Sequence, residues 1–149
     1  MKKVVVGWDH IFGPWIMEKT DGLWVPGRGS TIGLLDQNGS ISAATYYTDF
    51  NGASVIMHCA GEGRHWLNRE FLWFSFYYPF EQLGCKKIIS PIEESNKDSI
   101  RFCSNIGFEL EATLKDASPK GNLLLYTLSK EKCKWLSLGD RYRGQTEGS

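Results

Sequence analysis

The stretch ASVIMHCAGEGRHWLNREFLWFSFYYPF, residues 53–80, decides the architecture of this chain. Ala53–Ala60 is a short apolar run bounded by turn residues, Asn51-Gly52 on one side and Gly61-Glu62-Gly63 on the other, and it reads as a strand. Beyond the glycines, Trp66 to Phe80 is almost solidly apolar. Its length favours a helix over a strand, and apolarity on every side favours a buried one. Pro79 has no amide hydrogen, so it belongs in the last turn or kinks the helix, and Leu83-Gly84 reads as the exit. Lys86–Ile92 follows as a short buried strand. Strand, helix and strand joined this way form a parallel pair with a crossover helix. This is the one obvious parallel pairing in the sequence.

Upstream, Thr31–Asp36, Ile41–Asp49 and Ala53–Ala60 form an antiparallel meander. It turns at Asn38-Gly39, where both residues tolerate positive φ, and again at Asn51-Gly52. Before it lie a first strand, Val4 to Trp8, and a short helix over His10 to Thr20. Pro14 fits only near the start of that helix. Asp21 to Ser30 is rich in turn residues and reads as a loop. Downstream, Ser95, Asn96 and Asp98 are cap and first-turn residues, with Ser95-x-x-Asp98 as a variant capping box. Ile100, Cys103 and Ile106 then line one helix face, and Gly107 ends it. Phe108–Leu114 and Asn122–Ser129 are strands around the turn Ser118-Pro119-Lys120-Gly121, and Lys130–Leu136 is a last helical turn. The order β-α-βββ-α-β-α-ββ is α/β (α+β), a mixed, mostly antiparallel sheet of six to seven strands with flanking helices. One domain over 1–136 is expected, with a flexible tail over 137–149.

Composition narrows the function. The chain has 149 residues, 42% hydrophobic and 13% aromatic, enough for a real core. Lys+Arg and Asp+Glu are both 17, so no global basic field points to nucleic acid, despite Arg64, Arg69, Lys86 and Lys87. No apolar run approaches the roughly 18 residues of a membrane span. A charge at Asp9 comes too early for a signal peptide, so a cytoplasmic location is expected. Cys59, Cys85, Cys103 and Cys133 are widely spaced without a CxxC pair, and read as small buried apolar residues. His58, Cys59 and His65 lack any familiar ligand spacing, so no metal is expected.

Two constellations carry chemistry. At Cys59-Ala60-Gly61-Glu62-Gly63-Arg64-His65-Trp66-Leu67-Asn68 a strand ends, glycines turn the chain and a helix begins. Free amides and partial positive charge at a helix start suit a phosphate, and an ordinary strand-to-helix turn has the same look. The second is Glu93-Glu94-Ser95-Asn96-Lys97-Asp98-Ser99-Ile100-Arg101-Phe102-Cys103-Ser104-Asn105-Ile106-Gly107-Phe108. Asn96 and Ser99 share a helical face and can both point into a cleft, or Asn96 simply caps and Ser99 is solvated.

The run from Asn96 to Gly107-Phe108 resembles the Asn-x-x-Ser helix of the GNAT superfamily of acetyltransferases. Phe80-Glu81-Gln82-Leu83-Gly84-Cys85-Lys86-Lys87-Ile88 resembles the end of that family's long third helix and its fifth strand. The likeness covers roughly residues 31–136 in the right element order and is nearest the ribosomal-protein N-terminal acetyltransferase branch. It implies splayed fourth and fifth strands with acetyl-CoA between them. It also implies that the pantetheine arm pairs along Ile56–Ala60, including Met57, Cys59 and Ala60. The pyrophosphate would sit on Arg64, His65, Trp66, Leu67 and Asn68, with Asn96, Ser99 and Phe102 near the arm and thiol. Trp15, Tyr46, Tyr47 and Asp49 fall in regions that shape the acceptor groove in the family.

The implied reaction is N-acetylation of a primary amine: a protein N-terminus, a lysine or a small amine. Direct attack needs a base, expected from Glu94 first, then His58, then Glu93, and donors for the carbonyl oxygen, expected near Cys59 or Ala60. Ser99, Ser104 or water would protonate the leaving thiolate. Cys59 as a nucleophile is disfavoured, because His58 points to the opposite face of a strand. Trp66 and Asn68 depart from the family's glycine-rich loop, and Phe102 or Cys103 stands where it often has a tyrosine. Those departures support the alternative, a catalytically impaired GNAT-shaped binding or structural module, for example a subunit of a larger assembly; a homodimer is a separate expectation for either reading.

Overall fold

A computed structural model of the chain describes residues 2–20, 22–61 and 68–139. Seven strands, β1 (Lys3–Val6), β2 (Gly29–Leu35), β3 (Ile41–Thr48), β4 (Ser54–Gly61), β5 (Lys87–Glu93), β6 (Glu109–Ser118) and β7 (Gly121–Ser129), form one sheet in the order β1-β2-β3-β4-β5-β7-β6. Among the described residues three α-helices accompany it: α1 (Asp9–Lys19), α2 (Arg69–Tyr77) and α3 (Lys97–Asn105). Every pairing is antiparallel except β4 with β5, which runs parallel across the α2 connection.

The alternation of side chains along β4 sorts the core into two layers. Val55, Met57 and Cys59 point to one face, where Phe71, Leu72, Phe76 and Phe80 from the α2 segment and Cys103 and Ile106 from the α3 segment cover them. On the other face α1 places Phe12, Ile16 and Met17 against Val5, Ala44 and Tyr46. Burying one such aromatic or branched side chain stabilises the fold by about 1.5–3 kcal/mol. Gly33 admits α1 closely: a Cβ there would meet the Phe12 ring at 2.1 Å.

Four local expectations change. α1 starts at Asp9, so Pro14 lies in its interior; Pro14 and His10 are both exposed, so the ladder bond that proline cannot make is lost on the solvent side. The Asp9 carboxylate ties the helix start to β2 by accepting from Thr31 N at 2.8 Å and Thr31 Oγ1 at 2.7 Å. At the Asn38-Gly39 turn only Gly39 has positive φ, because Asp36 Oδ1 accepts from the amides of Asn38 and Ser40 and holds a different turn. The long apolar helix is shorter than its hydrophobicity suggests. Asn68 caps it, and after Tyr77 the ladder widens to a π-helical turn over Tyr78–Gln82, which accommodates Pro79. Finally, α3 is capped by Asn96, not Ser95: Asn96 Oδ1 accepts from Ser99 N at 3.2 Å.

The last helical turn is present as two 3-10 segments, Lys130–Lys132 and Lys134–Leu138, anchored where Trp135 Nε1 donates to Ile106 O at 2.8 Å. The second runs past residue 136, the expected domain end; residues 140–149 of the expected tail lie outside the described residues.

Candidate functional site

β4 and β5 pair for three residues only: Ser54 with Lys87, Val55 with Ile88, Ile56 with Ile89. Beyond that point each strand keeps its outer neighbour, β3 for β4 as far as Gly61 and β7 for β5 as far as Glu93, and the two inner edges separate. Ser90 stands at the apex. Its hydroxyl donates to Met57 O at 2.9 Å, so a side chain replaces the next rung of the ladder.

That bond also orients the backbone of β4. Met57 O faces β5, and backbone groups on a strand alternate sides, so the N–H and C=O of Met57 and Cys59 point into the gap. Those of His58 and Ala60 point to β3, opposite Tyr46 and Ala44. Cys59, rather than Ala60, therefore offers a main-chain donor to anything in the gap.

A cleft of about 180 Å³ lies there. Its α3 side is lined by Cys59, Ser90, Asn96, Ser99 and Cys103, and its α1 side by Thr20, Gly22, His58 and Glu93. Asn96 thus caps its helix through its side-chain oxygen and lines the cleft at once. Cys103 Sγ donates to Ser90 Oγ at 3.7 Å, and the Cys59 and Cys103 thiols both line the α3 side of the cleft. The neighbouring Cys103 thiol, and then burial, push the Cys59 thiol up.

His58 shares its face with Tyr46, ring centroids 6.1 Å apart, on the α1 side of the sheet. Burial holds its imidazole below the ordinary value of 6.5; the Arg28 charge acts the same way and Asp49 opposes it. Arg28 and Asp49 form an exposed ion pair at 3.0 Å, and Asp49 is held below its usual carboxylate value chiefly by the Thr48 hydroxyl.

The remaining expected site residues divide. Glu94 is exposed in the turn after β5 and does not line the cleft, whereas Glu93 does. Tyr47 is a core residue on the α2 face; its hydroxyl donates to Ser75 O, and burial pushes its phenol far up. Tyr46 is buried beside Trp24, centroids 5.5 Å apart. Trp15 is half-buried against α1's own layer, with Lys19 Nζ over its ring at 4.9 Å. Phe102 packs half-buried on the main core instead of lining the cleft. Asn68 Oδ1 accepts from Phe71 N at 2.9 Å, occupying one amide of the α2 start. Arg64, His65, Trp66 and Leu67 lie outside the described residues. Sequence reasoning missed Ser90 and Thr20. A hydroxyl at the inward register of Ile88-Ile89-Ser90-Pro91-Ile92 was the one available signal for Ser90. Among the described residues no group of three or more His, Cys, Asp or Glu is placed to hold a metal ion, and no helix is long and apolar enough to cross a membrane.

The architecture has counterparts among solved structures. A GNAT-family acetyltransferase from Bacillus anthracis superposes with TM-score 0.55 at 15% identity, over 68% of this chain and 66% of that one. A mutant form of the spermidine N-acetyltransferase SpeG from Vibrio cholerae superposes with TM-score 0.69 at 12% identity, over 91% and 96%. No protein-family model and no curated protein matches the sequence. At these identities the likeness shows the fold: a single α/β domain of GNAT type with a mostly antiparallel seven-stranded sheet and parted β4 and β5. The ribosomal-protein branch is not distinguished by it.

Proposed function

We propose that this chain is an acetyl-CoA-dependent N-acetyltransferase acting on a primary amine, with the cosubstrate in the gap between β4 and β5. The observation that carries the reading is the parting of β4 from β5 after Ile56 and Ile89. Backbone amides on an inner strand normally find partners in the ladder, and those that do not are matched by a ligand or water. The residues present fit a pantetheine arm: main-chain groups of Met57 and Cys59 on one wall, the Asn96 amide and the Ser99 hydroxyl on the other. The two faces of the cleft differ in chemistry, with thiols, an amide and hydroxyls on one and an imidazole and a carboxylate on the other.

When bound, acetyl-CoA would supply an activated acetyl carbonyl. The Cys59 N–H points toward the gap and is placed to donate to a carbonyl oxygen there. On the α1 face His58 is a neutral imidazole at neutral pH, because burial disfavours its charged form. A neutral imidazole accepts a proton from an ammonium group and leaves a nucleophilic amine. Glu93 lines the same face and is the nearest carboxylate partner for a cationic acceptor in the cleft. The base is therefore assigned to His58 in preference to Glu94. Ser99, on the opposite wall, is assigned to the thiol end of the arm. The acceptor is a protein N-terminus, a lysine or a small amine; fold likeness does not choose among them.

Isothermal titration with acetyl-CoA tests the reading. Saturable heat at micromolar to millimolar ligand supports it, and absence of heat at millimolar ligand removes it. One observation favours the second reading, a GNAT-shaped module without catalysis: Asn68 already satisfies the Phe71 amide at the start of α2, where a phosphate would otherwise bind. A protein that gives no heat and assembles in solution with itself or a partner would bear out that alternative.

A further inference from the structure

We propose that the acceptor is a monoamine with an apolar body, an alkyl- or arylalkylamine, whose hydrocarbon lies along a row of side chains leading away from Glu93. This choice of acceptor rests on the acetyl transfer proposed above and narrows it. Strand register sets the row. Glu93 on β5 stands opposite Leu123 on β7, and Leu123 stands opposite Leu114 on β6. Pro91, Leu125 and Ala112 form the neighbouring row. Ile92 and Leu124, which separate the rows along β5 and β7, are buried in the main core. Alternation therefore turns both rows to the α1 side of the sheet, the side that carries His58. That side is covered unevenly. α1 packs over β1 to β4. Among the described residues Pro91, Leu123, Leu125 and Leu114 join neither buried cluster, and Leu114 keeps 42% of its surface exposed. Pro91 and Leu123 also line the cleft, so the apolar strip continues directly from it.

Charge along the row selects the occupant. Among the described residues that line the cleft, Glu93 is the one carboxylate, and none is lysine or arginine. One ammonium group is matched at the head of the row, on the face where His58 takes its proton. The next two positions are leucines. A second ammonium group there would lose hydration without meeting a counter-charge, which disfavours a polyamine. Glu111, at the far rim, is already engaged by Lys87 Nζ at 2.7 Å and the Thr127 hydroxyl at 2.9 Å. A peptide fits less well than a hydrocarbon. The backbone groups of β7 are spent on β5 and β6, so this face offers no partner to peptide amides. An apolar body asks for none. Two strand spacings, about 10 Å, separate Glu93 from Leu114, which suits an amine of about six to eight carbons.

Binding and turnover test the acceptor separately. The full chain, labelled at its leucine methyl groups, is titrated by NMR with n-butylamine, n-hexylamine, spermidine and a short peptide with a free N-terminus. Transfer from acetyl-CoA to the same amines is followed by thiol release. Shifts at the Leu114 and Leu123 methyls are expected with n-hexylamine. The kcat/KM should rise about two- to fourfold per added methylene and exceed the values for spermidine and the peptide. Leu114→Glu changes an exposed position on an edge strand and puts a second carboxylate at the end of the row. It should lower kcat/KM for n-hexylamine about three- to tenfold and raise it for spermidine. A flat dependence on chain length, or a wild-type preference for spermidine or the peptide, would overturn the apolar acceptor and leave acetyl transfer standing. Methyl shifts with n-hexylamine in a chain that binds no acetyl-CoA would uphold the amine site and sink the transfer reaction. An absence of methyl shifts with every amine would overturn the site whatever the turnover. Self-association seen by sedimentation, abolished by Leu114→Glu without a change in amine selectivity, would give the strip to a second copy of the chain and overturn the proposal.

Discussion

The two ends of the β4–β5 pair make an instructive contrast. At the amino end Ser54, Val55 and Ile56 pair in register with Lys87, Ile88 and Ile89, and Val55 and Ile88 are buried beneath the ladder. Three residues beyond the last pair on β4 and four on β5, the strands carry Cys59 and Glu93 and are no longer paired. The burial alternation continues unbroken along both strands, so the change is not one of hydrophobicity. What differs is the outer support. β3 and β7 hold β4 and β5 to their full lengths, each with its own twist, while Ser90 and the α3 thiol fill the space at the divergence. Two strands firmly gripped on the outside can part on the inside, which leaves inner-edge backbone groups of β4 free of the ladder without any loop being built for it.

Experiments on the two ends separate these roles. The largest effect is expected at the parted end in catalysis. His58→Gln should lower the acetyl-transfer rate on the order of 10²–10⁴-fold, measured as kcat/KM with a panel of primary amines. It should also change pH behaviour. Burial lowers the folded-state pKa of His58 below 6.5, so the unfolded chain binds the proton more readily. The stability the neutral imidazole preserves is therefore full above 6.5 and declines as pH falls below it. Urea midpoints from pH 7.5 to 5 should fall for the wild type and fall less steeply for His58→Gln, whereas parallel slopes would contradict the assignment of burial as the cause.

Next in size, Ile88→Ala at the zipped end should cost about 2–5 kcal/mol in urea unfolding, the usual range for such a truncation in a packed core. Ser90→Ala, two residues along on the same face, should cost less, about 1–3 kcal/mol, because it leaves Met57 O without its donor but removes little volume. If the two costs were equal, the apex would be packed like the rest of the core and the contrast would fail. The smallest expected effect is at the start of α2. Asn68→Gly should cost only a few tenths of a kcal/mol in stability, since glycine is a tolerable cap. It frees the Phe71 amide and should tighten acetyl-CoA binding by titration; weaker binding would mean that the Asn68 side chain itself serves the ligand.

Much of the frame was legible before any coordinates. The order of elements, the parallel pair and the separation of β4 from β5 followed from Ala53–Ile92 and from the likeness of the Asn96–Phe108 helix to a known family. The site was less so. Glu94 and Glu93 are adjacent in sequence and chemically alike, and only the end of β5 puts one on the cleft wall and the other in a turn. Tyr46 and Tyr47 look interchangeable as text, yet alternation sends one toward His58 and the other into the α2 core. Both turns were right in place; at Asn38-Gly39 the geometry differs, because Asp36 Oδ1 rather than a pair of positive φ angles organises the hairpin, and at Asn51-Gly52 the Asn51 amide oxygen plays the same part.

Residue type and spacing by themselves determined where the chain turns, which segments are apolar enough to be buried, and that one helix links two parallel strands. Periodicity is a property of neighbours along the chain, so a single sequence suffices to show it. Which face of β4 carries His58, which side of the gap receives the Met57 and Cys59 backbone, and that Cys59 and Cys103 line the same cleft were decided by the tertiary structure alone. Those facts depend on strand register and on how α1 and α3 settle against opposite faces of the sheet. A shift of one residue in register would exchange the two faces while leaving the sequence pattern almost as plausible.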